Sequence, residues 1–267
     1  MKITLAYSPC PNDTFMFHGV ATGSLRLKGH EFDVRLHDVE TLNRMALAGV
    51  YDVTKLSFHA WLLAEESYEM LGAGAALGHG CGPVVVSRRA IAPADLPRCR
   101  LAVPGELTTA HMLLRLWAPG AADKVFVRYD EVMPMLAAGQ ADAGVIIHEG
   151  RFTYERAGFR LIVDLGQWWQ DITGLPIPLG CIAARKQLGA ETISGIERLL
   201  RRGIAESIEH PDRAAEYVRL HAQEMDEGVL KDHIRTFVND YSLDMGDQGR
   251  RAVAKLRELA RGAGIIE

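Results

Sequence analysis

The stretch ADAGVIIHEGRFTY, residues 141–154, decides how the chain is read. Ala143 to Ile147 form a short apolar run, and an ionisable pair, His148-Glu149, follows at once with Gly150. This is the pattern of a buried strand that ends abruptly in a titratable side chain. In open α/β sheets ligands collect just outside the carboxyl ends of strands, where catalytic and binding groups are placed. Imidazole changes charge near neutral pH, so His148 is a candidate general base. The plain alternative is a histidine that caps its strand and bonds a nearby carbonyl.

Working outward, the same succession of strand, polar turn and helix recurs. KITLAY (2–7) reads as an opening strand, followed by Ser8-Pro9-Cys10-Pro11-Asn12-Asp13. Asn12 or Asp13 can cap a helix whose apolar face starts with Phe15, Met16 and Val20, and Gly19 and Gly23 set its end. HEFDVRLH (30–37) alternates as a second strand, and a helix with Leu42, Met45, Ala46 and Val50 on one face starts in DVETLN (38–43). Lys55 and Ser57 sit where a third strand gives way to the helical FHAWLLAEESYEML; Ser57 reads equally as an N-cap or a site hydroxyl.

Downstream, Arg100–Val103 is a strand and Thr108-Thr109-Ala110 open a helix carrying Met112, Leu113 and Leu116. Hydroxyls and free amides at a helix start form a cradle for carboxylate or phosphate, although ordinary threonine capping explains the same residues. KVFVRY (124–129) and Arg160–Leu165 are further strands, with a helix over Asp130–Gly139. The glycine-rich GAGAALGHGCG (72–82) fits no phosphate-binding pattern and reads as a strand with a tight turn. The Trp168-Trp169 pair suits a domain seam better than a pocket wall. From about residue 190 the apolar spacing is helical, and Arg201, Arg202, Arg250 and Arg251 fall on solvated faces.

Two strand-like passages, 83–87 and 175–184, connect the α/β segments; Pro176 and Pro178 suit the second to an edge or hinge, not a central strand. A chain that leaves one unit and later returns makes two lobes. The expected larger lobe is 1–86 with 182–267, and the smaller is 87–181. Ligands favour the cleft between such units. Candidate polar groups divide across it, with Asn43 and Ser57 on one side and Thr108, Thr109 and His148 on the other.

Composition narrows the function. The 267 residues are 48% hydrophobic and 24% charged, with net charge −4 and pI near 6.2. No basic patch speaks for nucleic acid. The N-terminal MKITLAYSPCPNDTF reaches Ser8, Pro9 and Pro11 before any signal-type stretch, and no run is long enough to span a membrane, so cytoplasm is the expected compartment. Cys10, Cys81, Cys99 and Cys181 are scattered and read as free thiols. A zinc peptidase fails on spacing, because H-E-x-x-H needs histidine where Phe152 stands. Homo-oligomerisation stays open.

The strings SPCPNDTFMFHG (8–19), DVETLN (38–43), TKLS (54–57), PGELTTA (104–110) and IHEGRFTY (147–154) together resemble the 1,4-dihydroxy-6-naphthoate synthase family of the futalosine route to menaquinone. The resemblance spans most of the chain. It implies the two-lobed fold of type 2 periplasmic binding proteins, with mixed sheets flanked by helices and a ligand cleft between lobes. It also implies a lyase that converts cyclic dehypoxanthine futalosine to 1,4-dihydroxy-6-naphthoate without metal or organic cofactor. His148 is then the proton acceptor. Lys55, Leu56 and Ser57, with Thr109 and Ala110, contact substrate, and Asn43 and Thr108 are weaker carry-overs. The rival readings are chorismate dehydratase of the same pathway and a non-catalytic small-molecule binding protein; the first and last strings argue against the dehydratase.

Overall fold

The structure, a computed structural model, describes residues 1–223 and 226–267. The first sheet takes β1 (Lys2–Tyr7), β2 (Glu31–Leu36), β3 (Val53–Ser57), β4 (Tyr68–Met70) and β5 (Ala76–Gly78). The second takes β6 (Val84–Ser87), β7 (Leu101–Val103), β8 (Lys124–Phe126), β9 (Ala143–Ile146) and β10 (Arg160–Asp164). The chain then returns to the first sheet as β11 (Ile177–Arg185), giving strand orders β2-β1-β3-β11-β4, with β5 beside β11, and β10-β6-β9-β7-β8. Both sheets are mixed: β1 is parallel to β2 and β3, whereas β11 is antiparallel to its neighbours. In the second sheet β7 is parallel to β8 and β9, and β6 is antiparallel to β9 and β10.

The helices that position the site are α1 (Pro11–Ala21), α2 (Val39–Leu47), α3 (Phe58–Ala64), α4 (Thr109–Trp117), α5 (Val132–Ala137) and α6 (Gly150–Thr153). Then follow α7 (Leu165–Thr173), α8 (Ala190–Glu209), α9 (Pro211–His221) and α10 (Glu227–Phe237). One apolar cluster runs through both sheets, joining Leu56 and Phe58 to Val85, Leu101 and Val145. Trp169 is fully buried in it, its indole N–H donating to the Pro176 carbonyl at 3.1 Å, so that indole belongs to the core.

Four local expectations change. β11 is a central strand despite its proline. Its pairing with β3 begins only at Gly180, so Pro178 lies where one side of the strand is open, beside a register shift against β5. Neither Asn12 nor Asp13 caps α1: Cys10 is the N-cap without a side-chain bond, and Pro11 occupies the first turn. Gly19 lies inside α1 because Leu25 packs where a Cβ would stand. The helix expected over 130–139 is a short 3₁₀ turn (129–131) followed by α5.

Candidate active site

Three strand ends and two helix starts converge on one cleft. β9 ends at Ile146, and two residues later His148 adopts φ +55°, the single non-glycine residue with positive φ among those described. A left-handed backbone costs a side-chain-bearing residue about 1–2 kcal/mol, so the fold holds this turn against a local preference. The His148 carbonyl accepts from Arg151 N–H at 3.3 Å, starting α6.

The imidazole of His148 bonds no carbonyl among the described residues. Its Nε2 lies 3.9 Å from Cys10 Sγ, the Tyr129 ring meets its edge at 4.7 Å, and the His233 ring lies parallel to it at 6.1 Å. Burial pushes its pKa down to about 4; Asp13 opposes that shift and Lys55 adds to it. The ring is therefore neutral at pH 7, the state a general base needs. Burial also raises the Cys10 thiol and the Tyr129 phenol far above their ordinary range and holds His233 well below its own, so all three neighbours are uncharged.

Lys55, on β3, is 6% exposed and donates to Asp13 Oδ1 at 2.7 Å. Asp13 is as deeply buried and also accepts from Ser8 Oγ (2.7 Å) and Asn12 Nδ2 (2.9 Å). Breaking one partner of such a pair typically costs about 3–5 kcal/mol, since a bare charge is left behind. The carboxylate also fixes its neighbours. It can only accept, so the Asn12 amide nitrogen must face it, and Asn12 Oδ1 faces His233 Nε2 at 2.9 Å. His233 is therefore the Nε2–H tautomer, its Nδ1 lying 3.9 Å from Glu149 Oε2.

Ser57 is the N-cap of α3 by position but makes no side-chain cap bond. Its N–H donates to Asn43 Oδ1 (2.9 Å) and its Oγ accepts from Asn43 Nδ2 (3.1 Å). Asn43 donates in addition to the Leu107 carbonyl at 3.2 Å, and Glu40 Oε2 on the same helix accepts from Leu107 N–H at 3.0 Å. Leu107, two residues before α4, is thus gripped at both its N–H and its carbonyl from α2. Asn43 does not line the cleft; it holds Ser57, which does.

Thr108 is a true cap of α4, accepting from His111 N–H at 3.2 Å. Thr109 Oγ1 donates to the Leu179 carbonyl at 2.7 Å, tying α4 to β11. The Thr109 and Ala110 amides have no acceptor among the described residues and stand at the cleft, so the cradle there is backbone, with threonines shaping it. Leu56 lies between Lys55 and Ser57 with its side chain in the core.

The cleft holds residues that the strand-end pattern does not single out. Arg151 lines it, pairing with Asp164 at 2.7 Å and donating to the Gly82 carbonyl. Ser8 comes from the turn before α1, Asp13 from the first turn of α1, and Phe237 from α10. The signal for α10 was present: His233 shares a buried stripe with Val229, Leu230 and Phe237, where an ionisable residue is out of place. Among the described residues no three His, Cys, Asp or Glu side chains are grouped as metal ligands, and the four cysteines are free and buried.

Comparison with known proteins shows the family and the fold. The 1,4-dihydroxy-6-naphthoate synthase of Thermus thermophilus is 46% identical over 263 residues, 98% of this chain and 95% of that one. A crystal structure of an Archaeoglobus fulgidus protein superposes with TM-score 0.94 at 37% identity, covering 99% of this chain and 98% of the other. The alkanesulfonate-binding protein SsuA of Xanthomonas axonopodis pv. citri, bound to MOPS, gives TM-score 0.74 at 13% identity over 100% and 94% of the chains. That likeness is one of fold alone, the generic fold of periplasmic binding proteins. The family model described as menaquinone biosynthesis matches residues 3–262, and the chain belongs to that family.

Proposed function

We propose that the chain is a lyase that converts cyclic dehypoxanthine futalosine to 1,4-dihydroxy-6-naphthoate, with His148 as the base. The observation that carries the proposal is the neutral imidazole of His148, presented to the cleft by a left-handed turn and bonded to no carbonyl. Full-length identity to a naphthoate synthase supports the reaction class.

In this reading His148 takes a proton from carbon beside an electron-withdrawing group. Elimination releases the sugar-derived fragment, and aromatisation of the second ring makes the reaction favourable. General-base assistance contributes about 10²–10⁴-fold, with positioning and fixed dipoles adding the rest. Ser57 and the Thr109 and Ala110 amides hold polar groups of the substrate, and Lys55 stands beside them. Asn43 and Thr108 serve by holding these groups in place. The division into lobes 1–86 with 182–267 against 87–181 then follows the sheets with each border set back, to the coil before β6 (Val84–Ser87) and the coil before β11 (Ile177–Arg185), where the chain changes sheets. Among the described residues no helix is long and apolar enough to cross a membrane, and the reaction is assigned to the cytoplasm.

The test is incubation of the purified protein with cyclic dehypoxanthine futalosine, with chelator and without added cofactor, following naphthoate by chromatography. Product is expected from the wild type, with turnover lower by at least about 10²-fold in His148→Ala. Absence of product, with chorismate consumed in a parallel reaction, would move the chain to chorismate dehydratase.

A further inference from the structure

A base that takes a proton inside a desolvated cleft acquires a positive charge where water cannot stabilise it. The substrate keeps the electron pair and the opposite charge, and a fixed negative charge in the protein stabilises the imidazolium as it forms. Cys10 and Tyr129 touch the His148 ring and are neutral, as is His233, stacked behind it. Arg151, on α6, is paired with Asp164. Glu149, next in the chain, points its Oε2 toward His233 Nδ1. The charged pair that lines the same cleft is Asp13 with Lys55.

Resting on the lyase reading, we propose that Asp13 is the positioning residue that supplies the counter-charge for His148 during proton abstraction, with Lys55 as its brake. Asp13 is 2% exposed, and four donors hold its carboxylate: Ser8 N–H, Ser8 Oγ, Asn12 Nδ2 and Lys55 Nζ. Those bonds fix a negative charge before the reaction begins, the arrangement that stabilises charge without reorganisation. Asp13 and His148 line the same cleft, and the turn that carries Asp13 reaches the imidazole through Cys10. Asp13 also orients Asn12, which holds His233 as the Nε2–H tautomer, parallel to His148. One carboxylate therefore governs both the field at the base and the ring behind it. This role accounts for the SPCPND turn, where the N-cap Cys10 makes no side-chain bond and Asp13 turns back to Ser8.

The test separates charge from scaffolding by sign. In protein labelled with ¹³C in its imidazoles, the His148 titration midpoint is followed without substrate in wild type, Asp13→Asn, Lys55→Met and the double variant, with His148→Gln assigning the signal. Loss of Asp13 is expected to lower the midpoint and loss of Lys55 to raise it, the double variant lying between. Asp13→Asn is expected to lower kcat about tenfold or more, the equivalent of one pK unit, with KM changing less than about threefold. Should Asp13→Asn not fold, adding it to Lys55→Met removes both charges of the buried pair, and the midpoint should fall relative to Lys55→Met alone. A scaffolding role gives no opposed shifts. Midpoints that stay fixed or move in one direction, or full kcat in a folded Asp13→Asn, overturn the proposal. The titration reads this result even if the protein turns over no futalosine derivative, so failure of the lyase reading is seen separately.

Discussion

Two histidine pairs lie at the seam between the sheets, and they differ in what their nitrogens face. In the first, His148 and His233 stack in parallel, and His148 Nε2 meets a thiol sulfur, its ring bonding no carbonyl among the described residues. In the second, His59 of α3 and His111 of α4 lie 6.4 Å apart, and each turns Nδ1 to a carbonyl: His59 to Thr108 at 3.3 Å, His111 to Glu106 at 2.7 Å. A nitrogen facing a carbonyl must carry the proton, so the second pair is locked as Nδ1–H tautomers. Burial lowers the pKa of His59 to about 4, as it does for His148, and lowers that of His111. A depressed pKa therefore does not mark the base in this molecule. Access to the cleft and freedom from a carbonyl partner do.

The largest effect separates the pairs directly. His148→Gln keeps a polar side chain of similar reach but no proton acceptor of imidazole basicity, and turnover should fall at least about 10²-fold with the melting temperature little changed. His59→Gln keeps an amide N–H for the Thr108 carbonyl and should hold kcat within about threefold. Equal losses in the two variants, measured as kcat on folded protein, would erase the distinction.

A middle-sized effect tests what the carbonyl-bonded pair is for. Its carbonyl partners, Glu106 and Thr108, flank Leu107, whose peptide Glu40 and Asn43 grip from α2. Together these bonds fix the start of α4, where the Thr109 and Ala110 amides face the cleft. Gly105 at φ +90° lets the chain pass against Glu40, whose carboxylate stands where a Cβ would be. Asn43→Ala leaves Ser57 N–H and the Leu107 carbonyl without their partner, at about 1–3 kcal/mol for a buried group left unsatisfied. KM should rise about tenfold, with a smaller change in kcat, and the Leu107 amide should exchange hydrogen faster. Unchanged exchange at Leu107 would separate Asn43 from the cradle.

The contrast between the pairs also explains which parts of the site were legible in the sequence. The strand-to-helix change at Lys55-Leu56-Ser57 and the apolar run before His148-Glu149 announce strand ends, and strand ends point at the cleft. Thr108 and Thr109 likewise announce a helix start. Partnership leaves no such local trace. His233 bonds Asn12 across 221 residues, and Lys55 bonds Asp13 across 42, so neither contact is visible in any window. Asp13 looked like a cap because Asx residues before helices usually cap; Pro11 had already taken the first turn. β11 escaped in the same way, since its proline is tolerated only through a pairing that starts two residues later, at Gly180.

The smallest effect on turnover is a stability difference set by pH. His59 titrates near 4 when folded and near 6.5 when unfolded, so the unfolded chain binds more protons between those values. The stability carried by its neutral form is complete above about pH 6.5 and is lost as the pH falls toward 4. Between pH 7.5 and 5 that loss amounts to about 2 kcal/mol from this one group. His148 and His233, also depressed, add losses of the same sign. In His59→Gln the first share disappears, so urea unfolding at the two pH values should show a smaller acid penalty than in wild type by about that amount. An identical penalty in both proteins would mean that His59 is not held neutral by its burial. The carbonyl lock on the second pair would then have to be explained by geometry alone.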